Sequence, residues 1–261
     1  MSEVALSSDA IPVSYEVHGQ GNPALVFVHG WSCDRTYWRN QLGHFAESHQ
    51  VVAIDLAGHG ESGLGRKEHT MPAFGDDVVA VVEKLGFGDV VLIGHSMGGD
   101  VIVEAALKLR ERVRGLVWVD VYSTLGQVSS RDVNDRFIAP FRQDFEPTAR
   151  PFVRQMFLAG SDPSLVDWVV ADMSSAPPEI AVNQLEHAIN NDAAVLAGLR
   201  ELRVPVVAIN PDHRPTDTEA LRRHGVTAVT MTGVGHFPML EDPATFNRLL
   251  GDVIGTLARE R

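Results

Sequence analysis

The chain has 261 residues, with 22 Lys plus Arg against 34 Asp plus Glu, a formal net charge of −12 and a single cysteine. That charge repels phosphate backbones and anionic lipid surfaces, so neither nucleic acid nor a membrane surface is an expected partner. Cys33 alone excludes an internal disulfide and any Cys-based zinc cluster, and no stretch approaches 18 uninterrupted apolar residues. Met1 to Ala10 has neither a basic start nor an apolar run, so no signal peptide is expected and the expected location is cytoplasmic.

The elements follow in order. Residues Ile11 to Val17 alternate weakly before the turn-rich His18-Gly19-Gln20-Gly21-Asn22-Pro23, and are expected as an antiparallel strand at a sheet edge. Ala24 to Val28 is a continuous apolar run, which predicts a fully buried strand, and it stops at His29-Gly30-Trp31-Ser32. A helical pattern spans Tyr37 to Ala46, and Val51 to Ile54 is the next strand, ending in Asp55-Leu56-Ala57-Gly58-His59-Gly60-Glu61-Ser62. Met71 to Leu85 repeats apolar residues at helical spacing and is closed by Gly86 and Gly88. Val90 to Ile93 then runs into Gly94-His95-Ser96-Met97-Gly98-Gly99, with helix expected over Asp100 to Arg110 and strand over Gly115 to Val119, before Asp120.

Alternating strand and helix implies a mostly parallel, doubly wound α/β sheet with right-handed crossovers. The pattern changes between Tyr122 and Leu202, where only helical segments are expected, broken by Pro140, Pro147, Pro151, Pro163 and Pro177-Pro178. So long a stretch exceeds the usual connection of a few residues, which predicts a folded helical insertion. Strand resumes at Pro205 to Ile209, followed by helix over Thr218 to His224, strand over Ala228 to Met231 and a last helix over Pro243 to Leu257. The expected organisation is a core of residues 1–121 and 203–261 with a helical cap of residues 122–202.

The chemistry centres on Ser96. A Gly-x-Ser-x-Gly turn between a buried strand and a helix is the nucleophile elbow, with small residues where side chains would collide. A serine hydroxyl is a poor nucleophile at neutral pH and needs a base, an orienting acid and oxyanion donors. Of eleven histidines, His236 fits best as base, on the glycine-rich loop Gly233-Val234-Gly235-His236 that follows the last strand. His95, adjacent to the nucleophile, is expected to point away from where a base must sit. The Met97 amide, at the helix start, and the Trp31 amide, beside Gly30, are the candidate oxyanion donors. Cys33 has no base placed for it and is expected to be buried or to line a pocket. The glycines of the elbow lack both the phosphate-loop Lys and the Gly-x-Gly-x-x-Gly spacing, which argues against nucleotide binding. No Asp and His pairs stand at metal-ligand spacing, so no metal and no other cofactor is expected.

His29-Gly30, Asp55-x-x-Gly58-x-Gly60-x-Ser62, the Ser96 elbow and Gly235-His236-Phe237 before Glu241-Asp242-Pro243 occur in that order. Together they resemble the α/β-hydrolase superfamily, as a capped, serine-esterase-like member. The resemblance implies a Ser–acid–His triad, a pocket roofed by the cap, and a structural role for the turn from Asp55 to Ser62. Most relatives carry the acid in a Gly-x-x-Asp turn after the strand that follows the cap; here that turn reads Asn210-Pro211-Asp212-His213-Arg214-Pro215, with Arg214 at the usual acid position. Asp120, at the end of the preceding strand where some members carry their acid, is preferred, with Asp212 or Asp217 as alternatives.

The expected function is a serine hydrolase that cleaves a small, largely apolar ester through an acyl-enzyme, with lactonase, C–C bond hydrolase and perhydrolase as variants of the same constellation. A receptor for a small ligand, with slow or no turnover, is the alternative from a different class. Phe137, Phe141, Phe145, Phe152, Met156, Phe157, Trp168 and Met173 are expected to pack the cap, with some facing substrate. The sequence leaves the oligomeric state open.

Overall fold

The computed structural model describes residues 2–258. Eight strands form one sheet: β1 (Glu3–Leu6), β2 (Pro12–His18), β3 (Ala24–Val28), β4 (Val51–Ile54), β5 (Val90–His95), β6 (Val113–Val119), β7 (Val206–Pro211) and β8 (Val226–Met231). Their order is β1-β2-β4-β3-β5-β6-β7-β8. β1 and β2 pair antiparallel with each other, β2 pairs antiparallel with β4, and every later pairing is parallel. The mostly parallel α/β architecture read from the sequence is therefore present.

β3, β4 and Val90–Ile93 of β5 are apolar throughout because helices cover both sides of the sheet. The helices are α1 (Arg39–Phe45), α2 (Met71–Lys84), α3 (Met97–Leu109), α4 (Arg131–Gln143), α5 (Phe145–Arg154), α6 (Pro163–Ser174), α7 (Pro178–Ile189), α8 (Asp192–Glu201), α9 (Thr218–Arg223), α10 (Pro238–Glu241) and α11 (Pro243–Leu257). Trp118 and Gly115 stand three apart on β6 and so face opposite sides. Trp118 Nε1 donates to the Gly99 carbonyl on α3, whereas a side chain at Gly115 would meet Leu257 on α11. Those two helices therefore cover opposite faces. Caps set where helices begin: Thr70, Asp162 and Asp242 accept from backbone amides of α2, α6 and α11, each of which has proline in its first turn.

Several details differ from the sequence reading, among them strand bounds that shift by two residues at the start of β6 and β8. β2 is not the edge, because β1 lies outside it; only Ala5 of β1 is buried, so no apolar pattern announces that strand. α3 begins at Met97 rather than Asp100, because Gly98 packs flat against β3 and continues the helix. Pro140 and Pro151 lie inside α4 and α5 instead of ending them, while Pro163 and Pro178 start α6 and α7. α10 is a further short helix ahead of α11. Between Val119 of β6 and Val206 of β7 the chain runs through α4 to α8. No helix among the described residues is long and apolar enough to cross a membrane.

Candidate active site

Ser96 tops the turn between β5 and α3 with φ 51° and ψ −123°, a sparsely populated region for a residue with a Cβ. The neighbours force it there. A side chain at Gly94 would run into the Gly98 carbonyl, and one at Gly98 would lie 2.5 Å from the carbonyls of both Val28 and His29. Three strand ends thus converge on the turn. The Ser96 amide donates to Val119 O at 3.0 Å, which ties the elbow to the end of β6, where Asp120 follows.

His236, on the loop after β8, reaches Asp120 at the end of β6. Its Nδ1–H donates to Asp120 Oδ2 at 2.6 Å, and both side chains are largely buried, 17 % and 12 % exposed. Asp120 has φ 46°, and its amide donates to Ile209 O at 3.1 Å on β7. The next residue, Val121, packs against Gly99 so closely that no side chain fits at position 99. Asp212 instead accepts from the Gly233 amide at 3.0 Å, and Asp217 caps α9 by accepting from Ala220 N at 2.9 Å. The structure brings Asp120, not Asp212 or Asp217, to the His236 ring.

His95 is fully buried beneath this pair. Its Nε2–H donates to the His236 carbonyl at 2.8 Å, and the two rings lie 4.6 Å apart. Burial first, and then the neighbouring His236, push its pKa well below the ordinary imidazole value. It is therefore a neutral hook for the loop. His213 faces the same corner, where burial lowers its pKa and the Asp120 charge works in the opposite direction. The sequence pattern assigns no role to either contact.

The backbone amides of Trp31 and Met97 make no turn or loop hydrogen bond to a backbone carbonyl among the described residues. The turn carrying Trp31 lies against Ser96, since a Cβ on Gly30 would stand 3.1 Å from Ser96 Cβ. The Trp31 ring points into the helices between β6 and β7. Its Nε1–H donates to Ala181 O at 2.7 Å, and Phe141, Phe145 and Phe152 meet it edge-on at 5.9–6.1 Å. Of the other expected apolar residues, Met173 is buried, Met156, Phe157 and Trp168 are half-buried, and Phe137 is exposed.

The remaining motif residues make structural bonds. Ser62 Oγ donates to Asp55 O at 2.6 Å and accepts from Ser14 N at 2.8 Å, while Asp55 accepts from the amides of Arg35 and Glu61. His29 donates through Nδ1 to Gly30 O at 2.8 Å and accepts from Leu56 N at 3.1 Å. Cys33 is buried, and burial raises its thiol pKa well above the usual value. No group of three or more His, Cys, Asp or Glu among the described residues is arranged to hold a metal ion.

Chemically, the arrangement offers a hydroxyl on a strained turn, an imidazole hydrogen-bonded to a largely buried carboxylate, two backbone amides with no backbone acceptor among the described residues, and an aromatic cluster around the Trp31 ring. Comparison with known proteins gives a consistent picture. A family model described as "Alpha/beta hydrolase family" matches residues 25–249. The 3-oxoadipate enol-lactonase 2 of Acinetobacter baylyi is 23% identical over 258 residues, 95% of each chain. The karrikin insensitive 2 receptor CA of Petunia hybrida is 20% identical over 250 residues, 87% of this chain and 90% of that one. A thermophilic esterase from Thermogutta terrifontis superposes with a TM-score of 0.84 at 22% identity, covering 98% of this chain and 99% of its own.

Proposed function

Because the chain belongs to the alpha/beta hydrolase family, we propose that it is a serine hydrolase acting on a small, largely apolar ester or lactone. The observation that carries this reading is the 2.6 Å hydrogen bond from His236 to Asp120, on a loop hooked to His95 beside Ser96. Asp120 fixes the tautomer that leaves Nε2 of His236 unprotonated and able to act as base. Ser96 Oγ then attacks the carbonyl carbon while its proton passes to Nε2. The resulting oxyanion is received by the Trp31 and Met97 amides, each contributing about 2.7–4 kcal/mol to the transition state. Collapse expels the alcohol, which takes the proton from His236 and leaves an acyl-Ser96. Water, deprotonated by the same nitrogen, attacks the acyl carbon; the bond to Ser96 Oγ then breaks as Nε2 returns the proton to that oxygen, and the acid is released.

The helices between β6 and β7 act in this reading as the cap. The aromatic cluster around Trp31 supports an apolar acyl or alkoxy group, because such surfaces reward burial and offer few hydrogen bonds to a polar one. The full-length relationship to an enol-lactonase favours including cyclic esters. The relationship to a plant receptor supports a second reading, in which the site binds a small ligand with little turnover.

Short p-nitrophenyl esters, γ-lactones and a fluorophosphonate probe separate these readings. Stoichiometric labelling that is lost in Ser96→Ala, together with rapid turnover of an ester or lactone, is expected. Turnover that survives Ser96→Ala would refute the assignment, and labelling without turnover would favour the receptor.

A further inference from the structure

The three consecutive amides around His236 are each held. Glu241, on α10, accepts from Gly235 N at 2.9 Å and from Phe237 N at 3.2 Å through the same oxygen, Oε1. The His236 amide donates to Met156 O at 2.9 Å. The second carboxylate oxygen of Glu241, Oε2, accepts from Ser161 Oγ at 2.7 Å. Met156 and Ser161 both lie in the connection between α5 and α6, and Phe157 of that connection stacks on Phe237 at 5.1 Å and 24°.

Gly235 shows how tight the fit is. A Cβ there would lie 2.5 Å from Met156 O and 3.0 Å from both Glu241 Oε1 and Phe157 Cα. The loop is therefore pressed between Glu241 on one side and the α5–α6 connection on the other. With all three amides bonded, the backbone torsions at His236 have little freedom; they fix the direction of its Cα–Cβ bond, and the Nδ1 bond to Asp120 then fixes the ring. A carboxylate acceptor makes the strong form of such a bond. Supporting bonds of this kind matter for catalysis because a displacement of about 1 Å at the reacting group can remove about 100-fold of rate.

We propose that Glu241 is a positioning residue for His236, and that the 156–161 connection makes that placement depend on how the helical insertion is seated. The proposal rests on the assignment of His236 as general base. Glu241 touches no reacting atom in this scheme; it acts through the loop.

The test uses the full chain with Glu241→Ala, Glu241→Gln and Ser161→Ala, assayed with a short p-nitrophenyl ester and by the downfield Nδ1–H proton resonance of His236. Glu241→Ala is expected to lower kcat about 10- to 100-fold with KM moved less than about threefold, and to broaden or shift the proton. Glu241→Gln keeps a carbonyl oxygen for both amides and is expected to restore most of the loss. Ser161→Ala is expected to lower kcat about 3- to 10-fold, through the same loop. An unchanged kcat and unchanged proton in Glu241→Ala would overturn the positioning role, as would a rise in KM alone. The same silence in Ser161→Ala would overturn the dependence on the insertion. If Glu241→Ala fails to fold, the other two variants decide: a Glu241→Gln enzyme with kcat lowered 10-fold or more rejects the acceptor role. A parental protein that fluorophosphonate does not label would sink the hydrolase reading instead, while the His236 proton would still report on the loop.

Discussion

His236 Nδ1 and Asp120 Oδ2 are 2.6 Å apart although their residues come from loops after different strands, β8 and β6. The junction depends on the strained turn at Asp120, which is held by β7 on one side and by the packing of Val121 on Gly99 on the other. If Asp120 orients the imidazole, Asp120→Asn presents an amide that competes for the wrong tautomer and lowers kcat by on the order of 10³–10⁴-fold. Asp212→Asn retains an oxygen for the Gly233 amide and is expected to stay within about threefold of parental activity. Steady-state kinetics on one ester with both variants checks the pair. Comparable losses in the two would remove Asp120 from the role.

Ser96 holds its strained conformation in the resting protein, so part of the folding free energy is stored there. Relief of such a conformation amounts to about 1–3 kcal/mol, whereas a glycine adds about 0.4–1 kcal/mol of unfolded-chain entropy. The strain is the larger quantity. Ser96→Gly is therefore expected to be more stable than Ser96→Ala by about 1 kcal/mol in urea unfolding, although both lack the hydroxyl. An alanine variant as stable as the glycine one would show that the turn is not strained.

The sheet and its parallel order were legible because β3, β4 and β5 are buried on both faces and therefore read as unbroken apolar runs. β1 was not, because a four-residue edge strand needs only one buried side chain and takes its order from main-chain pairing with β2. Ser96 and His236 were legible for a related reason: glycines beside them mark backbone that must pass close to other backbone. The carboxylate was harder. Asp120, Asp212 and Asp217 all follow strands or precede helices, and only the register of β6 against β7, with the turn at Asp120, decides which one meets the ring. Glu241 stood in the motif without a role, since the amides it accepts from belong to a loop whose path the sequence does not give.

Gly98 and Gly43 both sit in helices, and their surroundings predict opposite responses to alanine. A Cβ on Gly98 would lie 2.5 Å from the Val28 and His29 carbonyls, and neither backbone group can move without shifting β3. Gly98→Ala is expected to cost about 1–3 kcal/mol and to displace the Met97 amide, lowering kcat as well as stability. Gly43, in α1, meets nothing within 4 Å. There the helix propensity decides, and Gly43→Ala is expected to stabilise by about 0.5–1 kcal/mol with activity unchanged. Thermal and urea unfolding of the two variants, with one ester assay, tests both signs.

Asp100, one turn into α3 after Ser96, is a buried carboxyl group with consequences for pH. Burial is the largest influence, and with the charges of Asp192 and Glu104 it raises the pKa to about 7, although hydrogen bonds from Asn191 and Tyr122 pull the other way. Tyr122 Oη donates to it at 3.1 Å and Asn191 Nδ2 at 3.0 Å, linking α3 to the start of α8. In the unfolded chain the group ionises near 3.8. Between those values the folded state binds more protons than the unfolded one, so stability falls as pH rises, and the contribution present below about pH 4 is lost by about pH 7. A shift of roughly three pH units corresponds to at most about 4 kcal/mol. Asp100→Asn is neutral in both states and lacks this slope. Its melting temperature relative to the parental protein is therefore expected to rise from pH 5 to pH 8, whatever fixed offset the amide introduces. Melting curves of the two proteins that run parallel across that range would show that Asp100 already ionises at its ordinary pKa in the fold.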